Sequence, residues 1–359
     1  MKFSNFAVTI NTKCNLNCDY CFIPPEDKQG YEMSYITLNC FRRLTRKYGS
    51  PPLKVDVFGT EPFISWDKLM HLINMAGIFR WKIGVTTNGT LITQDRAEIL
   101  AEKKVNLLVS YDGSRKSHNR FRKFKSGVGS WQKVVDNLKL LQDAGVEYGC
   151  AMTVSPENLP YLLHNVKSAA TRGFQFIALN PQFTIGKEPH PLGYDWEMLR
   201  KKYRQAVEWS IAHEVRLLFT FDAFETYTKG KQKALSATCG AARGSIAMDW
   251  DGQLYICHRA CGRKEFKIGE VLTGPVPELV QSYRIRDVNE CHVCPLFAQR
   301  GSCGHCWTIA LDMTGDMTKV PDAVCMWQSI INDVDMSLYH QAVSSQDNRL
   351  TIKKTSPRV

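Results

Sequence analysis

Cys14-Asn15-Leu16-Asn17-Cys18-Asp19-Tyr20-Cys21 comes just after a short apolar run, Phe6-Ala7-Val8-Thr9-Ile10. Three thiolates in this CX3CX2C spacing hold three irons of a [4Fe–4S] cluster, whereas ordinary ferredoxin-type clusters take four cysteines. The iron left open invites a chelator, and the amino and carboxylate groups of a methionine moiety fit it. A zinc knuckle is the other reading of CX2C. Zinc wants a fourth protein ligand nearby, and no Cys or His stands between Cys21 and Cys40.

Outward from the loop, short apolar runs alternate with longer amphipathic ones. The strand candidates are Ala7–Asn11, Lys54–Phe58, Lys82–Thr86, Asn106–Ser110, Tyr148–Val154 and Phe176–Asn180. Between and after them, Ser34–Tyr48, Ser65–Gly77, Thr93–Lys103, Ser130–Ala144, Leu159–Gly173 and Asp195–Glu214 have helical spacing of their apolar positions. Ser34, Thr93 and Ser130 stand where N-caps belong, Gly145 and Gly173 where helices stop. Six βα units in a row predict an α/β fold, a partial (β/α)6 TIM barrel, with working groups at the C-terminal ends of its strands. There the unusual residues gather: the cysteine loop, Gly59–Pro62, Thr87–Gly89, Ser110–Gly113 and Asn180-Pro181.

Near Phe221 the pattern changes to Cys-, Gly- and Asp-rich sequence with one hairpin signal, Asp251-Gly252 between alternating apolar residues. The boundary is expected within Thr226–Ser236, giving a barrel over residues 1–225, a small cysteine-rich domain over 226–345 and a loose tail over 346–359.

The 359 residues carry thirteen cysteines and no export signal, which argues for metal ligation in a reducing cytoplasm rather than disulfides. No window approaches a membrane span. The formal charge of +11 looks like that of a nucleic-acid binder. Three bound iron–sulfur clusters would lower it to roughly +6, and the basic residues are scattered, so neither nucleic acid nor membrane is expected as a partner. Two basic stretches stand out, Arg115–Lys125 and a Lys353-Lys354 tail. The tail reads as a solvated face, and the first as either that or a steering surface for an acidic peptide.

Three further features surround the loop. Phe58-Gly59-Thr60-Glu61-Pro62 follows the second strand, Thr87-Asn88-Gly89-Thr90 the third, and Ser110-Tyr111-Asp112-Gly113 the fourth, with Arg122 beyond it. Together with Tyr20 before the last cysteine, these resemble the radical S-adenosylmethionine (SAM) enzymes, and the stretch from Ser110 to Arg122 resembles that of the anaerobic sulfatase-maturating enzymes and peptide maturases. The resemblance implies that Cys14, Cys18 and Cys21 bind the cluster. It also implies that Glu61 pairs with the SAM ammonium, and that Ser110 and Arg122 grip the ribose and the methionine carboxylate. Tyr20, Gly59, Thr60, Asn88 and Leu179 would complete the SAM site. The family usually has Gly-Gly-Glu-Pro where this chain has Thr60 for the second glycine. An electron from the cluster would cleave SAM to a 5′-deoxyadenosyl radical, with flavodoxin or ferredoxin as electron donor.

The remaining cysteines run Cys239-X12-Gly252-X4-Cys257, then Cys291-X2-Cys294-X8-Cys303-X2-Cys306, then Cys325. This order resembles the SPASM domain, which holds two auxiliary [4Fe–4S] clusters. Carried over, one cluster takes Cys239, Cys257 and Cys306, with Cys261, His258 or an open position as the fourth ligand. Lys233 stands where some members have a further cysteine. The other cluster takes Cys291, Cys294, Cys303 and Cys325. Cys294–Cys303 is longer than in the family and Cys303–Cys306 one residue short, and a pair of zinc sites is the alternative. His258 occupies the place of the aspartate that acts as base in the sulfatase maturases. Asp112, Asp249 and Asp251 read as turn residues, Cys40 and Cys150 as core packing.

The expected activity is hydrogen abstraction from a ribosomal peptide or protein, followed by oxidation through the auxiliary clusters: a cross-link, thioether or dehydrogenation. The alternative is a dehydrogenase or decarboxylase of a small sugar or nucleoside precursor. The chain starts at its first strand, without the N-terminal peptide-recognition domain of many maturases, so a leader peptide is expected to meet a separate recognition protein or the basic surface.

Overall fold

The computed structural model describes residues 1–186, 188–189, 193–218, 240–285 and 306–344. Strands β1 (Phe3–Val8), β2 (Gly49–Val57), β3 (Lys82–Thr87), β4 (Asn106–Ser110), β5 (Tyr148–Val154) and β6 (Ile177–Pro181) lie side by side in chain order. All five pairings are parallel, with Phe6 opposite Val55 and Val109 opposite Cys150. Helices α1 (Tyr35–Tyr48), α2 (Trp66–Phe79), α3 (Gln94–Glu102), α4 (Arg115–Phe121), α5 (Trp131–Asp143), α6 (Leu162–Ala170) and α7 (Trp196–Ala212) supply the crossovers and the closing helix. Phe3, Phe6, Val8, Val55, Val57, Val85 and Val109 are buried, the mark of strands covered on both faces. This is the partial (β/α)6 barrel that the alternation predicts.

Local chemistry sets the helix ends. Ser34 accepts from Thr37 N at 3.0 Å and Asp195 from Met198 N at 2.9 Å. Ser130 stands at an N-cap but does not cap; its hydroxyl donates to Arg122 O instead. Helix α2 runs past Gly77 to Phe79, because nothing there demands a positive φ until Arg80. β1 lies earlier than expected, since Thr9–Asn11 leave the ladder to tie down loops. Helix α4 was not read from sequence; only seven residues long, it shows too little periodicity.

After β6 a separate small hairpin follows, β7 (Thr184–Ile185) with β8 (Glu188–Pro189). The hairpin at Asp251-Gly252 forms as expected from β9 (Ser245–Met248) and β10 (Gln253–Tyr255). Its place was not foreseen. β9 pairs in parallel with β1, Phe6 opposite Ile246, and the sheet continues antiparallel through β10 to Lys267–Glu270 and Gly274–Pro275. The cysteine-rich region is therefore hydrogen-bonded to the edge of the barrel sheet. The helix Asp322–Ser344 returns along α7, where Tyr203 Oη donates to Asp335 at 3.0 Å and Arg200 meets Asp333 at 3.2 Å. The boundary region Thr226–Ser236 and the 346–359 tail lie outside the described residues. Among the described residues no helix is long and apolar enough to cross a membrane.

Candidate active site

The cysteine loop is held by backbone bonds to the end of α4 and the segment that follows it. Leu16 bridges Phe124, Asn17 N donates to Lys123 O at 2.8 Å, and Asp19 N to Phe121 O at 3.1 Å. Asp19 also pairs with Arg120 and Lys123, each at 3.1 Å. Much of the basic stretch after β4 is thus engaged in holding the loop, which disfavours its reading as a steering surface.

Asp112 is no ordinary turn residue, as the sequence suggested; it is fully buried. Arg122 Nε reaches its Oδ2 at 2.9 Å and Nη2 its Oδ1 at 3.3 Å, while Thr153 N donates to Oδ1 at 2.9 Å and Tyr20 Oη bonds Oδ2. Burial opposes the Arg122 charge, but Asp112, Tyr20 and Cys18 together hold its pKa above the ordinary arginine value. The guanidinium lies 5.2 Å over the Tyr20 ring. Two edges of its fork serve Asp112 and Thr153, and among the described residues Nη1 makes no protein bond. Beside this pair, His118 Nδ1 accepts from Asp112 N at 3.3 Å and Nε2 faces Ser130 Oγ at 2.9 Å. Burial lowers the His118 pKa to about 3, so the ring is neutral and carries its proton on Nε2.

Glu61 is buried, with Oε1 accepting from Phe63 N at 3.0 Å and Thr87 Oγ1 at 2.8 Å, and Oε2 from Asn88 N at 2.7 Å. Burial nevertheless raises its pKa to about 7, against the three hydrogen bonds. The Asn88 side chain joins Asn15 at 2.9 Å, which links the end of β3 to the cysteine loop. Asn11 donates to Glu61 O at 3.1 Å, and the Thr60 hydroxyl donates to Asn11 O at 2.6 Å. Thr60 therefore stitches where the family pattern has glycine. Gly59 is at φ +134°, and a Cβ would meet Thr9 Cγ2 at 3.0 Å. Ser110 ends β4 half-buried, and Leu179 is buried in β6. Sequence reading missed Asn11, Asn15 and the true role of Asp112; the signal was there in the Asn-rich loop.

Cys14, Cys18 and Cys21 are undisulfided and partly exposed; a thiolate at Cys18 would feel both of the others, and one at Cys14 would feel Cys21. Burial pushes the Cys18 thiol up to about 12 and also raises Cys14, so thiolates there need a cationic partner such as iron. Among the described residues no three His, Cys, Asp or Glu converge tightly enough for a single metal ion. A cluster asks for a wider spread, since each thiolate binds its own iron. The donor set fits such a cluster.

A cavity of about 250 Å³ lies beside the loop. Phe22, Gly59 and Thr60 line one side, and Asp249, Trp250 and His258 come from the β9–β10 region. Asp249 is buried, which raises its pKa to about 6, with Asp251 and Asp27 adding to the rise. It is thus a cavity residue as well as a turn residue. His258 is exposed to the cavity, its ring 4.3 Å from that of Phe58, and the surrounding protein and Arg259 lower its pKa to about 4. Cys261 Sγ faces Cys257 O at 3.9 Å, Cys306 starts the helix Trp307–Thr314, and Cys325 is exposed on the last helix. Cys239, Cys291, Cys294, Cys303 and Lys233 lie outside the described residues. Cys150 is buried with its thiol on Tyr111 O at 3.1 Å, and Cys40 packs against the core, as expected.

Residues 8–164 match the model of the Radical SAM superfamily. The chain carries a radical SAM domain, and enzymes with this domain use a [4Fe–4S] cluster and SAM. It is 22% identical over 294 residues to the cysteine-type anaerobic sulfatase-maturating enzyme of Clostridium novyi, covering 76% of this chain and 77% of that one. It is 23% identical to the antilisterial bacteriocin subtilosin biosynthesis protein AlbA of Bacillus subtilis, over 88% of this chain and 69% of AlbA. Among solved structures, anSMEcpe with bound AdoMet shares the fold at a TM-score of 0.78 and 19% identity, over 96% of this chain and 100% of that chain.

Proposed function

We propose that this enzyme modifies a side chain or backbone position of a peptide or protein by hydrogen abstraction followed by oxidation. The observation that carries the reading is the cavity between the cysteine loop and the β9–β10 region, since a radical formed at that loop would meet whatever fills it. Relatives named for sulfatase maturation and subtilosin biosynthesis support a peptide substrate.

In this reading Cys14, Cys18 and Cys21 would hold a [4Fe–4S] cluster that leaves one iron for SAM. When bound, the cluster and SAM supply a 5′-deoxyadenosyl radical. Glu61 Oε2 keeps a lone pair to accept from the SAM amino group, and Arg122 Nη1 and Ser110 would remain for its carboxylate and ribose. Tyr20, Gly59, Thr60, Asn88 and Leu179 shape the rest of that site, and Asp112 fixes Arg122 in place. His258, neutral at pH 7, is in the form that accepts a proton from the substrate. Cys239, Cys257 and Cys306, and Cys291, Cys294, Cys303 and Cys325, would hold two auxiliary clusters, which would supply an acceptor for the electron left on the substrate once its hydrogen atom is removed. A ferredoxin or flavodoxin would supply the separate electron that cleaves SAM.

Anaerobic co-expression with each short reading frame beside the gene, followed by intact mass and fragmentation, tests this. A peptide lighter by two hydrogens is expected. Unchanged peptides, with SAM still cleaved by the reduced enzyme, would move the substrate to a small molecule.

A further inference from the structure

Arg259 lines the cavity, and among the described residues no carboxylate pairs with it. Arg263, on the same wall, is bound by Asp312 at 2.6 Å and lies 3.9 Å from Glu265. Arg259 instead donates through Nη2 to Thr184 Oγ1 at 2.6 Å, and its guanidinium lies 4.9 Å over the ring of Phe22. Phe22 directly follows Cys21 and stacks on Phe58 with ring centroids 6.0 Å apart and planes 19° from parallel. Thr184 belongs to a small hairpin whose Gly186 N donates to Cys21 O at 2.9 Å. The cation is thus pinned on one face and one edge, against elements that also hold the cysteine loop. Its Nε and Nη1 make no protein bond among the described residues, and a planar fork of this kind suits a carboxylate.

We propose that Arg259 is a specificity-determining residue that anchors a carboxylate of the substrate, either an acidic side chain or a peptide C-terminus. This rests on the cavity being the substrate site. Asp27, Asp249 and the paired Arg263 and Asp312 line the same cavity, so Arg259 is the group on its walls that would draw in an anion. The expected substrate carries a carboxylate close to the position that is modified, because Arg259 stacks on the neighbour of Cys21.

The test is equilibrium binding to the anaerobic, cluster-loaded enzyme, which does not depend on turnover. Three probes are compared at millimolar concentration: N-acetyl-glycyl-aspartyl-glycinamide, its asparaginyl counterpart, and N-acetyl-triglycine with a free C-terminus. One carboxylate probe should bind about tenfold more tightly than the asparaginyl one, and which of the two does so identifies the source of the carboxylate. In R259Q that preference should vanish, and in R259K it should fall to an intermediate value, with iron content equal to the parent's in both. Equal affinity for all probes, no binding of either carboxylate probe, or a preference that survives R259Q would overturn the proposal. So would loss of iron in both variants, which would assign Arg259 to cluster binding. Failure of the reduced enzyme to cleave SAM would instead count against the proposed function.

Discussion

Asp112 and Arg122 form a pair with almost no solvent contact, at 0% and 9% side-chain exposure. Removing one charge from such a pair leaves the other buried and uncompensated, which costs about 3–5 kcal/mol. D112N should therefore lower the stability of the anaerobic protein by about 3 kcal/mol and weaken SAM binding, because Arg122 loses its fixed position. A chemical-denaturation midpoint close to the parent's would contradict this. Glu61 gives a pH prediction. Its folded pKa is raised from 4.5 to about 7, so the folded chain holds a proton that the unfolded chain releases. Without SAM, stability then falls as pH rises between those values, by about 1.4 kcal/mol per unit relative to E61Q. An N–H of the SAM amino group donating to Glu61 favours the carboxylate, so calorimetry should show SAM affinity rising about tenfold from pH 6 to pH 8. A flat profile, or the same rise in E61Q, would remove the amino group from Glu61.

The loops show which elements sequence can and cannot reveal. The six strands were legible because double burial writes them as continuous apolar runs, and β4 and β5 fall at Asn106–Ser110 and Tyr148–Val154 as read. The cysteine loop was legible through its spacing. Its anchoring to Phe121–Phe124 was not, since the pairing joins segments about a hundred residues apart through backbone groups that leave no side-chain pattern. Asp112 looked like a turn residue for the same reason: Asp-Gly after a strand is common, and only the fold brings Arg122, Tyr20 and Thr153 around it. The glycine at position 59 makes the loop testable as a unit. G59A puts a Cβ against Thr9 at φ +134°, which should cost about 1–3 kcal/mol and displace Thr60 and Glu61. Denaturation together with SAM titration reads both effects, and a G59A protein as stable as the parent would contradict the close approach.

At the scale of the molecule, the hairpin β9–β10 was readable from Asp251-Gly252, yet its parallel docking on β1 was not, because nothing in a four-residue strand names its partner. That docking brings His258 and Arg259 to Phe22 and Phe58, at the mouth of the barrel. If the remaining cysteines bind two auxiliary clusters, anaerobically purified protein should contain about twelve irons per chain, falling to about eight in C306A. Four irons with zinc alongside would replace those clusters by zinc sites. The proposed activity turns on the loop Cys14–Cys21 making a radical from SAM. The most direct measurement is 5′-deoxyadenosine released from SAM by the dithionite-reduced enzyme, against a variant with all three cysteines changed to alanine. The parent should produce it and the variant should stay at the no-enzyme background; a parent no better than the variant would contradict the account.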